Sequence, residues 1–162
     1  MHTMPWVIKP VDFKDERQVG AFLQLLDMYA RDPMGGGEGL TEQVKARLAA
    51  ELPNAGGIHL IAWLDDQAVG LLNAFMGYST FKARALINVH DIAVDPDYRG
   101  QGVGQALLAE LESIARARAC CKLTLEVLSG NTKARKSYER FGFEDYALDP
   151  QMGVACFMQK WL

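Results

Sequence analysis

Apolar residues recur along the chain with two different periods, and the switches between them mark out the elements. Trp6 to Lys9 reads as a short strand. Val19, Phe22, Leu23, Leu26 and Ala30 then repeat at three- and four-residue steps, the stripe of a helix capped by Asp12 or Asp15 and ended by Asp32-Pro33. A glycine-rich loop, Met34 to Gly39, follows. Thr41 is placed to cap a second helix running through Leu52, with Val44, Leu48 and Leu52 on its apolar side. Ile58 to Leu64 and Ala68 to Met76 are apolar runs separated by Asp65-Asp66-Gln67, the pattern of a hairpin. Ala85 to Val94 is a third long strand, stopped at Asp95-Pro96. Between Gly102 and Ala119 the positions Val103, Leu107, Leu111, Ile114 and Arg118 predict a long helix. Lys122 to Leu128 alternates like a strand, Asn131 caps a helix from Thr132 to Phe141, and Gly142 is its stop. Phe143 to Tyr146 and Val154 to Lys160 are the last predicted strands.

The resulting order, β-α-α-β-β-β-α-β-α-β-β, predicts one mixed α/β domain over residues 1–162. A twisted sheet of six to seven strands carries about four helices on its faces. No linker or internal repeat interrupts it.

Composition narrows the function. The 17 Lys and Arg against 20 Asp and Glu leave a net charge of −3, too acidic for a protein that neutralises many phosphates of duplex nucleic acid. Cys120, Cys121 and Cys156 form neither a C-x-x-C pair nor a set with histidine at zinc spacing, so no metal is expected. The opening MHTMPWVIKP lacks the pattern of a secretory signal, and no apolar run reaches membrane-spanning length. A soluble cytoplasmic protein, with no membrane and no nucleic-acid partner, is the expectation.

The chemistry concentrates after the third long strand, in Asp95-Pro96-Asp97-Tyr98-Arg99-Gly100-Gln101-Gly102-Val103-Gly104-Gln105. Three glycines in five residues clear the backbone at a helix start. There the bare N–H groups of Gln101 to Gln105 and the positive dipole end suit a phosphate or pyrophosphate. Neither the Lys-Ser/Thr of a P-loop nor the third glycine of a dinucleotide fingerprint is present. A turn that only starts a helix is the plain alternative.

Arg99-Gly100-Gln101-Gly102-Val103-Gly104, with Val94 to Tyr98 before it, closely resembles motif A of the GCN5-related N-acetyltransferases (GNAT). Asn131, Ala134, Tyr138 and Gly142-Phe143 resemble motif B of that family, and the element order matches from Trp6 onward. The resemblance implies acetyl-CoA as cosubstrate, held along Ile92, Ala93 and Val94 and by Arg99, Gly100, Gln101, Gly102, Val103, Gly104, Gln105, Asn131, Lys133, Ala134, Lys136 and Tyr138. It also implies a homodimer, common in the family, and Tyr138 as the acid that protonates the departing thiolate. From the residues themselves, Asn131 and Tyr138 lie two turns apart on one helix face, and a phenol suits that role. The alternative is an aromatic that only packs. Arg116 to Arg140 holds seven basic residues against Glu126 and Glu139: either a solvated face or an attraction for coenzyme phosphates, with Lys133, Arg135 and Lys136 nearest.

An acceptor amine must lose a proton before it attacks, since an alkylamine with a pKa of about 10.4 is roughly 99.9% charged at neutral pH. His90 and Asp91 are the candidates, as a base acting directly or through water or, for Asp91, as the anchor of a cationic substrate; a structural histidine is the plain alternative for His90. Strict alternation puts His90 with Ile92 on one face and Val89 with Asp91 on the other. Gly77-Tyr78-Ser79-Thr80, Ala83-Arg84-Ala85 and His90-Asp91 resemble the polyamine and thialysine acetyltransferase branch, except that His90 replaces the first acid of its acidic pair. Asp27, Asp32, Glu38 and Glu42 surround the glycine loop that, by the same resemblance, walls the acceptor site; they are either solvated surface or an acidic wall suited to a cationic small molecule or a lysine-bearing peptide. Transfer to a protein or peptide amine, and a non-catalytic acyl-CoA sensor, are the competing readings.

Overall fold

The computed structural model describes residues 5–162; the first four residues of the opening segment lie outside them. The chain parts into two compact units, Met1–Leu125 and Glu126–Leu162.

The first unit is one five-stranded sheet with three helices. The strands are β1 (Val7–Pro10), β2 (Gly57–Leu64), β3 (Gln67–Ser79), β4 (Arg84–Val94) and β5 (Leu123–Leu125), and they lie side by side in chain order. Every neighbouring pair is antiparallel except β4 and β5. Leu64 pairs Gln67 across the two-residue turn Asp65-Asp66, and Asp65 takes φ +51° there, as tight hairpins require.

Helix α1 (Glu16–Arg31) starts where the Asp15 carboxylate accepts the N–H groups of Arg17 and Gln18, which settles the cap in favour of Asp15. Its buried Phe22, Leu25 and Leu26 pack with Ile61, Leu71 and Ala93 on one face of the sheet. Helix α2 (Glu42–Glu51) is capped by Thr41 as expected, but it buries no residue fully and Val44 is exposed.

Helix α3 (Val103–Ala117) covers the opposite face. Its Val103, Leu107, Leu108 and Leu111 are essentially inaccessible, each contributing roughly 1.5–3 kcal/mol by leaving water. The approach is close at Gly70, the neighbour of Leu71 and therefore on the other side of the sheet. A Cβ there would lie 2.9 Å from Val103 Cγ1, 3.1 Å from the Ala93 carbonyl and 3.3 Å from Leu107 Cδ1. The absent side chain lets the first turn of α3 seat directly on the strands, and that turn carries the glycine loop.

In the second unit α4 (Thr132–Phe141) runs between an Asn131 cap and Gly142, which takes φ +113° and closes the helix with its N–H on the Tyr138 and Glu139 carbonyls. The two strands expected at Phe143–Tyr146 and Val154–Lys160 do not form. A short 3-10 turn, Pro150–Met152, separates these segments, and one backbone bond, Ala155 N–H to the Tyr146 carbonyl at 3.1 Å, joins them. A single bond is not a ladder, so the sheet has five strands rather than six to seven. The strand expected at Lys122–Leu128 shrinks to Leu123–Leu125 for a reason that lies in β4, described below.

Gly70→Ala should destabilise the protein by roughly 1–3 kcal/mol, because the added methyl meets a backbone carbonyl as well as side chains. Urea unfolding tests this, and an unchanged midpoint would mean that the α3–sheet contact yields freely.

Candidate active site

The glycine loop sits between β4 and α3. Asp95 accepts the Asp97 N–H and sets a 3-10 turn, Pro96–Tyr98. Arg99 then folds back, its Nε donating to the Val94 carbonyl at 3.1 Å, with a guanidinium nitrogen 3.5 Å from Asp32 Oδ2. Gly100 and Gly102 take φ +74° and +94°, a conformation side chains disfavour. Gly102 caps α3 with no side-chain acceptor, and the first intrahelical bond is Ala106 N–H to the Gly102 carbonyl. The Val103 and Gly104 N–H groups therefore precede the helix ladder at its positive end. A Cβ on Gly104 would meet Val94 Cγ2 at 3.9 Å, an ordinary contact. N–H groups at such a helix start can hold a phosphate or pyrophosphate.

β4 contains the departure that matters most. Asn73 faces Asp91 across the ladder while the next residue, Ala74, faces Val89, so His90 is an extra residue in β4. Such a bulge reverses alternation. Val89 now shares a face with Ile92 rather than with Asp91, correcting the simple alternation. His90 lies against Phe75, ring centroids 4.7 Å apart, and its Nδ1 is 2.7 Å from Asn88 Oδ1. Phe75 and Asn88 belong to the face of Asn73 and Asp91, so the bulge brings His90 and Asp91 together on the α1 side. β5 pairs only Ile87, Asn88 and Val89, stopping where the bulge begins. Ile92, Ala93 and Val94 thus keep an edge without a strand in this sheet.

Two polar rows cross the sheet here. In one, His59 on β2, Asn73 on β3 and Asp91 on β4 face one another in register. Asn73 Nδ2 donates to Asp91 Oδ2 at 3.0 Å, and Asn73 Oδ1 lies 2.7 Å from His59 Nδ1. In the other, Asn88 Nδ2 donates to Thr124 Oγ1 at 2.9 Å and Asn88 Oδ1 faces His90 Nδ1. Each asparagine spends its amide N–H on a neighbour and presents its oxygen to an imidazole. Asp91 can only accept, so it orients the Asn73 amide and makes His59 the Nδ1–H tautomer, with its lone pair on Nε2. His90 is exposed, whereas His59 is only 7% exposed amid Phe13, Phe22 and Phe75. Burial pushes the His59 imidazole below its ordinary pKa, against the opposing effects of the Asn73 bond and the Asp91 charge. Tyr29 on α1, half-buried, is raised by burial and then by the charges of Asp91 and Asp32, so its hydroxyl stays a proton donor.

The expected acidic wall is mostly compensated. Asp27 accepts from Arg31 Nε and the Leu40 N–H and lies 3.8 Å from Lys45, and Arg31 leads the causes that lower its pKa. Asp32 caps the 3-10 turn Pro33–Gly35 and meets Arg99. Glu42 meets Lys45, and Glu38 is exposed. Asp27 and Asp32 hold the loop between α1 and α2 in shape through the Leu40 and Met34 N–H groups.

In the second unit Asn131 Oδ1 accepts the Ala134 N–H, so its side chain serves as the cap. Tyr138 is half-buried with its ring 6.0 Å from Phe143. Lys133 and Lys136 are exposed, whereas Arg135 is bound to Asp145 and Glu139. Among the described residues no group of three or more potential metal ligands occurs, and no helix is long and apolar enough to cross a membrane.

Residues 22–143 match the family model described as "Acetyltransferase (GNAT) family". The chain is 37% identical over 83 residues to a thialysine N-epsilon-acetyltransferase of Bos taurus, covering 51% of this chain and 47% of that protein. It is 40% identical over 60 residues to a glucosamine 6-phosphate N-acetyltransferase of Trypanosoma brucei brucei, covering 37% of this chain and 39% of the relative. The chain thus spans about half or less of these relatives. A solved Trypanosoma brucei acetyltransferase shares the fold at TM-score 0.69 and 24% identity, over 97% of this chain and 99% of its own.

His59 links stability to pH. Its folded pKa lies below the unfolded value of about 6.5, so its contribution is complete above that value and is lost as pH falls through the folded pKa. Unfolding free energy measured from pH 7.5 to 5 should fall on the acid side by up to ~1.4 kcal/mol per pH unit from this group. His59→Phe should flatten that slope; an identical slope would place the imidazole in contact with water.

Proposed function

Because the chain belongs to the GNAT family of acetyltransferases, we propose that it transfers the acetyl group of acetyl-CoA to a primary amine of a small cationic molecule. The observation that carries this reading is the bulge in β4, which sets a carboxylate and an imidazole side by side on the strand that runs into the glycine loop.

Acetyl-CoA supplies an activated acetyl thioester. The chain's part is to hold, orient and move protons. Val103 and Gly104 offer their N–H groups to the pyrophosphate, and Arg99 adds charge beside them. The open edge of Ile92, Ala93 and Val94 offers backbone groups to an amide-bearing chain laid along it. Gly100, Gln101, Gly102 and Gln105 shape the loop, and Lys133 and Lys136 on α4 carry exposed charge suited to phosphate. Asp91 anchors the acceptor's ammonium group. The ammonium sheds two protons on its way to the amide: His90 Nε2 takes the first, and the second restores the hydroxyl of Tyr138 after Tyr138 has given its proton to the departing sulfur. The C–N bond that forms and the C–S bond that breaks then leave an amide, a free thiol and a protonated His90.

Thiol release should be measured with thialysine, spermidine, glucosamine 6-phosphate, an aminoglycoside and a lysine peptide. Turnover of a small amine is the expected result. Turnover of the peptide alone would shift the reading to a protein acceptor, and no release with any amine would defeat it.

Two variants test the parts. Gly104→Asp has room for its side chain but sets a negative charge at these N–H groups, so acetyl-CoA affinity should fall by roughly 10-fold or more with the fold intact. Tyr138→Phe should keep acetyl-CoA affinity and lower kcat by roughly 10²-fold. Near wild-type kcat across pH 6–9 would make Tyr138 a packing residue.

A further inference from the structure

The row behind Asp91 is costly to build. His59 and Asn73 are 7% and 3% exposed, polar groups within an otherwise apolar core. His59 Nε2 has no hydrogen-bond partner among the described residues. A buried acceptor left without a donor costs about 1–3 kcal/mol, and apolar residues at both positions would remove that penalty. Packing therefore does not explain the pair.

Its geometry has one direction. An ionised Asp91 can only accept, so Asn73 must turn its Nδ2 toward Oδ2. That turns Oδ1 toward β2, where only a donor satisfies it, and His59 Nδ1–H is that donor at 2.7 Å. The imidazole is fixed in turn. Phe13, Phe22 and Phe75 meet it edge-on, with ring centroids 5.6, 6.2 and 5.7 Å away. Gly57 leaves the space it needs, since a Cβ there would come within 2.5 Å of Nε2. Every link from the aromatic box to the carboxylate is thus determined by the one before it. Asp91 is half-buried; with Oδ2 held, Oδ1 is the oxygen it has left for an incoming group.

We infer that His59 and Asn73 are positioning residues that orient the Asp91 carboxylate toward the amine acceptor, the imidazole acting through the asparagine and never touching substrate. This rests on the assignment of Asp91 to the acceptor side. Holding one oxygen from behind fixes where the other lies, and an ammonium placed against it presents its nitrogen in one position. A carboxylate free to rotate would bind the same cation in several.

The test combines kinetics with a measurement independent of turnover. With the best amine of the panel above, Asn73→Leu and His59→Leu should lower kcat/KM for the amine by roughly 10- to 100-fold. KM for acetyl-CoA should stay within about twofold. His59→Asn, whose amide puts an N–H near the place of Nδ1, should recover most of the loss even where its melting temperature remains low. In parallel, ¹⁵N spectra of the wild-type protein should show His59 protonated on Nδ1, and Asn73→Leu should abolish that preference. Leucine variants that keep the amine kcat/KM, or that weaken acetyl-CoA and amine equally, overturn the inference, as does a wild-type His59 carrying its proton on Nε2. If the wild-type protein turns over no amine, the proposed function fails, and the His59 tautomer alone then decides whether the row exists.

Discussion

A single residue too many in β4 organises the functional side of this sheet. In an unbroken strand His90 and Asp91 would alternate onto opposite faces, one toward α1 and one toward α3. With the insertion, the carboxylate and the imidazole share one side, and each meets an asparagine from the same surface. The insertion also ends the pairing of β4 with β5, so the strand's last residues reach the glycine loop with a bare edge. Placement of polar groups and the opening of the sheet are thus two results of one backbone irregularity, the usual effect of a bulge on twist and ladder.

That irregularity is invisible to periodicity, which explains what could be read from the chain and what could not. The helix stripes, the Thr41 and Asn131 caps, the Gly142 stop and the glycine loop all depend on local chemistry and appear where their residues announce them. The failures need partners distant in sequence. His59 and Asn73 stand out as lone polar residues in the apolar runs from Ile58 to Leu64 and from Ala68 to Met76, but their connection is hidden. Counting back from the Asp65-Asp66 turn pairs His59 with Leu72, and only the irregularity between Ala62 and Trp63, which leaves Val69 as an extra residue, moves it to Asn73. Tyr29 carried no signal, because its meaning depends on carboxylates brought near it by folding. The acidic wall shows both kinds of partner: Arg31 and Lys45 lie four and three residues from Asp27 and Glu42 and are legible in the sequence, whereas Arg99 reaches Asp32 only through the fold.

The tail shows the same limit. Phe143–Tyr146 and Val154–Lys160 have β-forming residues, but a strand exists only as part of a ladder. Asp145 is held by Arg135, and the segments meet through one backbone bond. Propensity proposes a strand; repeated partners make one.

The clamp at Asp27 separates two parts of one loop. Its carboxylate ties the base, through the Leu40 N–H and Arg31, to α1, while Gly36, Gly37 and Glu38 at the tip are exposed, with nothing within 4 Å of where side chains on the two glycines would begin. The two glycines nevertheless take φ +113° and +86°, and the Gly37 N–H bonds the Ala30 and Asp32 carbonyls, so the turn itself calls for glycine, and exposed Glu38 is the position where a side chain can be exchanged without disturbing the helices. A loop clamped at its base and closed by glycines confines tolerance to change to a single side chain, so its shape is inherited even where its charge is not.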